Sequence, residues 1–244
     1  MDLNRLIFFD GVTWGDLGAG FSSSPTENNT VLGFHYYAPP QADPTEHAGL
    51  QFKAQARVAN NLGTGLFLTE TSQPGPGKEG ETDKFSCAGC IGDAADATLV
   101  SWAGYEFKSF CRESDATESG QSQMADWGAC KTGYSKDWSS DSPDFMSAAG
   151  RTYARAVAGN VVSMSLDMET MEFRLEYDVS DVSLSGAVTE IFAYAGNYEK
   201  GMDVNVEGSA VYDFDEEQGL FFVTVDSAAT CIGEKVVVKI TRMS

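Results

Sequence analysis

Short apolar runs punctuate the first part of the chain, and stretches rich in Gly, Ser, Pro and acidic residues separate them. Arg5 to Asp10, Thr30 to Tyr37, Gly65 to Glu70 and Thr98 to Trp102 read as strands of near-continuous apolar character, the pattern of strands covered on both faces. Between the second and third, Glu46 to Asn60 sets Leu50, Ala54, Arg57 and Val58 at helical spacing. Ala94 to Leu99 predicts a shorter helix ahead of the fourth run. Strand and helix in alternation predict parallel βα units. Residues 112–144 are acidic, Ser-rich and poor in aliphatics, which predicts a long loop. Ser147 to Gly159 then predicts a further helix, stopped by Gly159-Asn160.

After residue 160 the period changes. Val161 to Leu166, Met171 to Tyr177, Thr189 to Tyr194, Ala210 to Phe214, Leu220 to Val225 and Lys235 to Ile240 are short runs at regular spacing, several alternating apolar and polar. Turn signals such as Asp167-Met168-Glu169-Thr170 and Glu216-Glu217-Gln218-Gly219 separate them. This is the pattern of an antiparallel sandwich. The expected organisation is an α/β unit over 1–159 and a β-sandwich domain over 160–244.

Charge narrows the partners. Sixteen basic against 36 acidic side chains leave a formal net charge of −20 over 244 residues. Such a surface repels phosphate, which excludes nucleic acid and docking on an anionic membrane by charge. No run approaches the roughly 20 apolar residues of a transmembrane helix, and Met1 to Asp10 lacks the basic start and apolar length of a signal peptide. Cys87 and Cys90 form a CxxC, but no second CxxC or His pair completes a zinc site. A loop disulfide or buried thiols fit better, and no metal or cofactor is expected.

Three successive runs end in groups of one chemical character: His35-Tyr36-Tyr37, then Glu70, then Trp102. Each residue alone reads as rim or core packing. Together, at the carboxyl ends of parallel strands, they form the set a sugar site needs. A carboxylate attacks the anomeric carbon, hydroxyl and imidazole groups surround it, and an indole face carries the ring.

The order HYY, LTE, SWxGYEFK resembles the second half of the glycoside hydrolase family 5 barrel, in its endoglycoceramidase-like branch. Phe8 to Asp16, Val31 to Pro40, Leu66 to Glu70, Ser101 to Phe110, Arg151 to Gly159 and Thr189 to Phe192 carry the resemblance. It implies the C-terminal half of a (β/α)₈ TIM barrel (strands five to eight) followed by a small antiparallel β-sandwich. It further implies a retaining hydrolase acting on glycolipid, with Glu70 as nucleophile, Tyr37 hydrogen-bonded to it, His35 on the acid/base side, and Trp102 and Tyr36 binding substrate. Two departures stand out: the family has Glu where this chain has Asp10, and the acid/base Glu that follows an Asn at the fourth strand's end has no counterpart. Among the carboxylates ahead of the HYY run, Asp2, Asp10, Asp16 and Glu27, none follows an Asn at a strand end. The expectation is therefore a fragment lacking the acid/base half, inactive by itself, whose parent works outside the cell or in an endomembrane or lysosomal-type compartment. A non-catalytic carbohydrate-binding remnant and a general β-glucanase are the alternatives.

Overall fold

A computed structural model describes residues 5–11, 21, 23–26, 28–37, 43–72, 90–105, 150–179, 186–225 and 233–243. Contacts divide the chain into two compact units, one of residues 1–91 with 100–149, the other of 92–99 with 150–244. The loop expected at 112–144 lies outside the described residues.

The first unit holds a parallel sheet in the order β1 (Ile7–Asp10), β2 (Thr30–Tyr36), β3 (Gly65–Ser72), β4 (Ser101–Tyr105). Helix α1 (Pro44–Leu62) links β2 to β3. Asp43 caps it, its carboxylate accepting from the Thr45 and Glu46 amides at 3.0 Å, a contact worth about 1 kcal/mol. Gly63 ends it at φ 66°, a left-handed turn that costs glycine no steric clash. The helix forms as expected, but on a different face. Ala48, Phe52, Ala59 and Leu62 are buried, while Leu50 is 60% exposed. Phe52 meets the edges of Phe34 and Tyr36 at centroid separations of 5.4 and 6.0 Å, and Leu32 packs with Ala59 and Leu62. Leu32, Phe34 and Tyr36 are therefore the helix-facing residues of β2.

The expected strand start at Thr98 is corrected. Helix α2 (Cys90–Thr98) runs through it, Thr98 donates its hydroxyl to the Ala94 carbonyl at 2.7 Å, and Leu99 turns the chain at φ 55°. Cys90 is disulfide-bonded. No described helix is long and apolar enough to cross a membrane.

The second unit is an antiparallel sandwich. One sheet runs β10 (Ala210–Asp215), β11 (Leu220–Val225), β8 (Val188–Phe192), β5 (Tyr153–Ala156). The other runs β6 (Asn160–Asp167), β7 (Glu172–Asp178), β12 (Lys235–Arg242), β9 (Met202–Glu207). Period two is realised directly: Phe173, Leu175 and Tyr177 point inward with Val236, Val238, Ile240, Ile191 and Val223. The helix expected over 147–159 is overturned where the structure describes it, because Tyr153–Ala156 is strand β5, paired to β8. An Ala-rich stretch favours helix by propensity, but here the sheet edge decides. Ala154 packs on the sandwich core, and the Ala158 amide donates to the Thr189 hydroxyl at 2.9 Å. Gly159 is no helix stop either. A Cβ there would lie 2.5 Å from the Asp178 carbonyl oxygen, so only glycine lets β6 start against β7. Beside β5, the Arg151 guanidinium is buried against Asp96 at 2.7 Å and Asp93 at 3.0 Å, tying α2 into this unit.

Candidate active site

The inward face of the parallel sheet carries the candidate chemistry. Alternation along β2 places Gly33, His35 and Tyr37 opposite the helix-facing Leu32, Phe34 and Tyr36. Strand β3 needs one irregularity to match. Its fully buried Leu68 pairs with Phe34, and strict alternation would send Glu70 to the same face. A register shift intervenes: Phe34 pairs with Leu68, but His35 pairs with Glu70, leaving Thr69 as the extra residue of a bulge. The Thr69 hydroxyl donates to the Phe34 carbonyl at 3.1 Å. Glu70 is thereby turned to the side of His35 and Tyr37.

The result is a compact acceptor–donor group. The Tyr37 hydroxyl donates to Glu70 Oε1 at 2.6 Å. His35 Nδ1 stands 3.8 Å from Glu70 Oε2, with side chains 42% and 32% exposed. One carboxylate oxygen is oriented by a phenol and the other faces an imidazole with room between. Such a carboxylate is held in place yet open to an incoming molecule.

Two of the expected residues fall outside this group. Tyr36 is buried on the helix side, so it cannot line a substrate rim. Its hydroxyl meets His47 Nδ1 of α1 at 3.1 Å, and the two rings stack at 5.7 Å. The HYY triplet spans both faces of a strand, and only its first and third members reach the site. Trp102 lies on β4, its Cα paired with Leu68. Among the described residues no hydrogen bond, ion pair or ring contact joins it to Glu70, His35 or Tyr37. His47 is not among the site residues the sequence predicts. Its one signal is its place in the first turn of a helix that follows the HYY strand.

A family model of the glycoside hydrolase family 5 C-terminal domain matches residues 151–240, which the structure shows as β5 through β12. The endoglycoceramidase of Cyanea nozakii is 30% identical over 210 residues, 84% of this chain and 38% of its own length. That of Hydra vulgaris is 30% identical over 208 residues, covering 82% and 35%. Residues 151–240 thus match the C-terminal domain of glycoside hydrolase family 5, and the chain is similar to endoglycoceramidases over most of its length. Solved structures agree on the fold. Endo-glycoceramidase II from Rhodococcus sp., captured as a lactosyl-enzyme intermediate, superposes with a TM-score of 0.65 at 16% identity, covering 100% of this chain and 50% of that one. Sterylglucosidase 1 of Cryptococcus neoformans superposes at 0.58 and 13% identity, covering 88% and 39%. The chain thus holds part of a (β/α)₈ barrel followed by a β-sandwich, and spans under two fifths of the curated relatives it matches.

Proposed function

We propose that this chain is the nucleophile-bearing part of a retaining glycosidase that acts on glycolipid. The observation that carries the reading is the 2.6 Å hydrogen bond from Tyr37 to Glu70, with His35 Nδ1 3.8 Å from the other oxygen. Glu70 attacks the anomeric carbon and the glycosidic oxygen departs with the bonding pair, leaving a glycosyl ester on the carboxylate. Tyr37 aims Glu70, its hydroxyl donating to one carboxylate oxygen. His35 borders the same carboxylate. The similarity to endoglycoceramidases supports glycolipid as the substrate.

A natural leaving oxygen needs a proton, and a retaining site supplies it from a second carboxyl roughly 5–5.5 Å from the first. No Asn-Glu pair at a strand end provides one here. The chain alone is therefore expected to leave glycosphingolipid intact.

Dinitrophenolate leaves without protonation, so a dinitrophenyl 2-deoxy-2-fluoro-β-lactoside tests the nucleophile separately from the acid. The fluorosugar is expected to add to the peptide containing Glu70, detected by mass spectrometry, and Glu70→Gln is expected to abolish the adduct. No adduct, or one unchanged by Glu70→Gln, refutes the nucleophile and favours a non-catalytic carbohydrate-binding chain.

A further inference from the structure

Asp10, at the carboxyl end of β1, is paired with Gly33 of β2. A Cβ built on Gly33 would fall against the Asp10 carboxyl, 2.9 Å from Cγ and 3.2 Å from Oδ2, and nearer still to Oδ1. A side chain at Gly33 would point the same way as those of His35 and Tyr37, two and four positions on. The Asp10 carboxylate therefore lies across β2 on the face where Tyr37 and His35 meet Glu70. It occupies the space that any residue other than glycine would fill. Beneath it on the same face, Phe8 sets its edge against Phe67 at 5.9 Å, an apolar floor. Among the described residues no hydrogen bond or ion pair engages the carboxylate, and Asp10 is exposed.

A rim carboxylate held over a bare stretch of backbone, with no cation paired to it among the described residues, is suited to neutral donors. Two oxygens side by side accept from two adjacent hydroxyls, the arrangement a sugar ring presents. We propose that Asp10 is a substrate-binding residue that accepts hydrogen bonds from hydroxyls of the sugar whose anomeric carbon faces Glu70, and that Gly33 is the clearance that allows it. This rests on the glycosidase reading of Glu70. It adds a second carboxylate with a separate role, since Glu70 bonds to carbon whereas Asp10 orients the ring.

The test uses the full chain and the labelling of Glu70. Wild type, Asp10→Asn and Asp10→Glu are each titrated with the fluorolactoside, and lactose is added as a protecting ligand. Hydrogen bonds to a charged acceptor are worth enough that Asp10→Asn should raise about tenfold both the half-saturating reagent concentration and the lactose concentration that halves the labelling rate. Asp10→Glu, which keeps the acceptor pair, should recover part of the loss. Gly33→Ala, whose methyl displaces the Asp10 carboxyl, should behave like Asp10→Asn, with circular dichroism used to establish that it folds. Half-saturation within twofold of wild type in Asp10→Asn, with Glu70 still labelled, overturns the Asp10 assignment and leaves the nucleophile standing. Loss of all labelling in Asp10→Asn at saturating reagent also overturns it, because the role is then chemical rather than one of binding. Absence of labelling in wild type overturns the glycosidase reading itself, and the Asp10 assignment with it.

Discussion

The sandwich and the parallel sheet are built from similar apolar residues, yet they bury them very differently. In the sandwich, Phe173, Leu175, Tyr177, Val236, Val238 and Ile240 are all at 0% exposure, because two sheets face each other across one core. Around the parallel sheet the burial among the described residues lies on the helix side: Leu68 and, on α1, Phe52 are fully buried while Phe8 is 53% and Leu6 64% exposed. No described strand pairs with the outer edges of β1 or β4. The site residues lie on the less covered face. The contrast separates two jobs: the sandwich closes on its own core, whereas Asp10, His35, Tyr37 and Glu70 gather on the more exposed face of the sheet.

Substitutions sharpen this contrast, starting with the core. Phe173→Ala should cost about 3–5 kcal/mol, measured by urea unfolding, because a large cavity opens between packed sheets. Phe8→Ala should cost less than about 1 kcal/mol, since much of that ring is already in water. Equal losses would show that the inward face of β1 is covered after all.

A middle-sized effect is expected at Arg151. Asp96→Ala should destabilise the sandwich by roughly 2 kcal/mol, because a buried guanidinium then keeps only the half-exposed Asp93. Burial holds the Asp96 carboxyl above its ordinary range, and Arg151 opposes that shift without cancelling it. The ion pair thus carries a desolvation cost of its own. Removing both partners, as Asp96→Ala with Arg151→Met, should recover part of the loss in the same unfolding assay. A double variant as unstable as the sum of the singles would show that the pair contributes nothing beyond packing.

The smallest effect concerns acid. Lys235, with Arg174, hydrogen-bonds Glu176 and holds its carboxyl below the usual 4.5. The amides of Thr170 and Glu169 hold Asp167 below 3.8. Both groups favour the ionised form in the folded state, so the stability they add is present above the usual carboxylate values and is lost as pH falls through the lowered ones. The urea midpoint of the sandwich should therefore drop between about pH 6 and about pH 3, and Glu176→Gln should flatten part of that slope. An unchanged slope would remove Glu176 from the account.

Much of the fold was legible as pattern. Six of the sandwich strands follow from runs of period two or from continuous apolar residues, whereas helix α1 runs past the expected Glu46 to Asn60 at both ends, from its cap at Asp43 to its stop at Gly63. Strand β9, Met202–Glu207, alternates just as well yet escaped the reading, since its exposed positions Asp203, Asn205 and Glu207 resemble a loop. The site was legible as residue types: a carboxylate, an imidazole and a phenol near strand ends.

Pairing alone decided the rest. Tyr153–Ala156 is a strand because β8 offers it hydrogen bonds, a long-range fact that overrides local helix propensity. Tyr36 faces α1, and Tyr37 faces Glu70, only once the strand's two faces are assigned. Most of all, a bulge at Thr69 puts Glu70 beside His35 instead of under the helix. One inserted residue inverts a side chain's face, and whether a strand carries that residue depends on the register of its neighbours. Composition and periodicity determined which residues could do chemistry in this protein. The register between strands decided which of them meet.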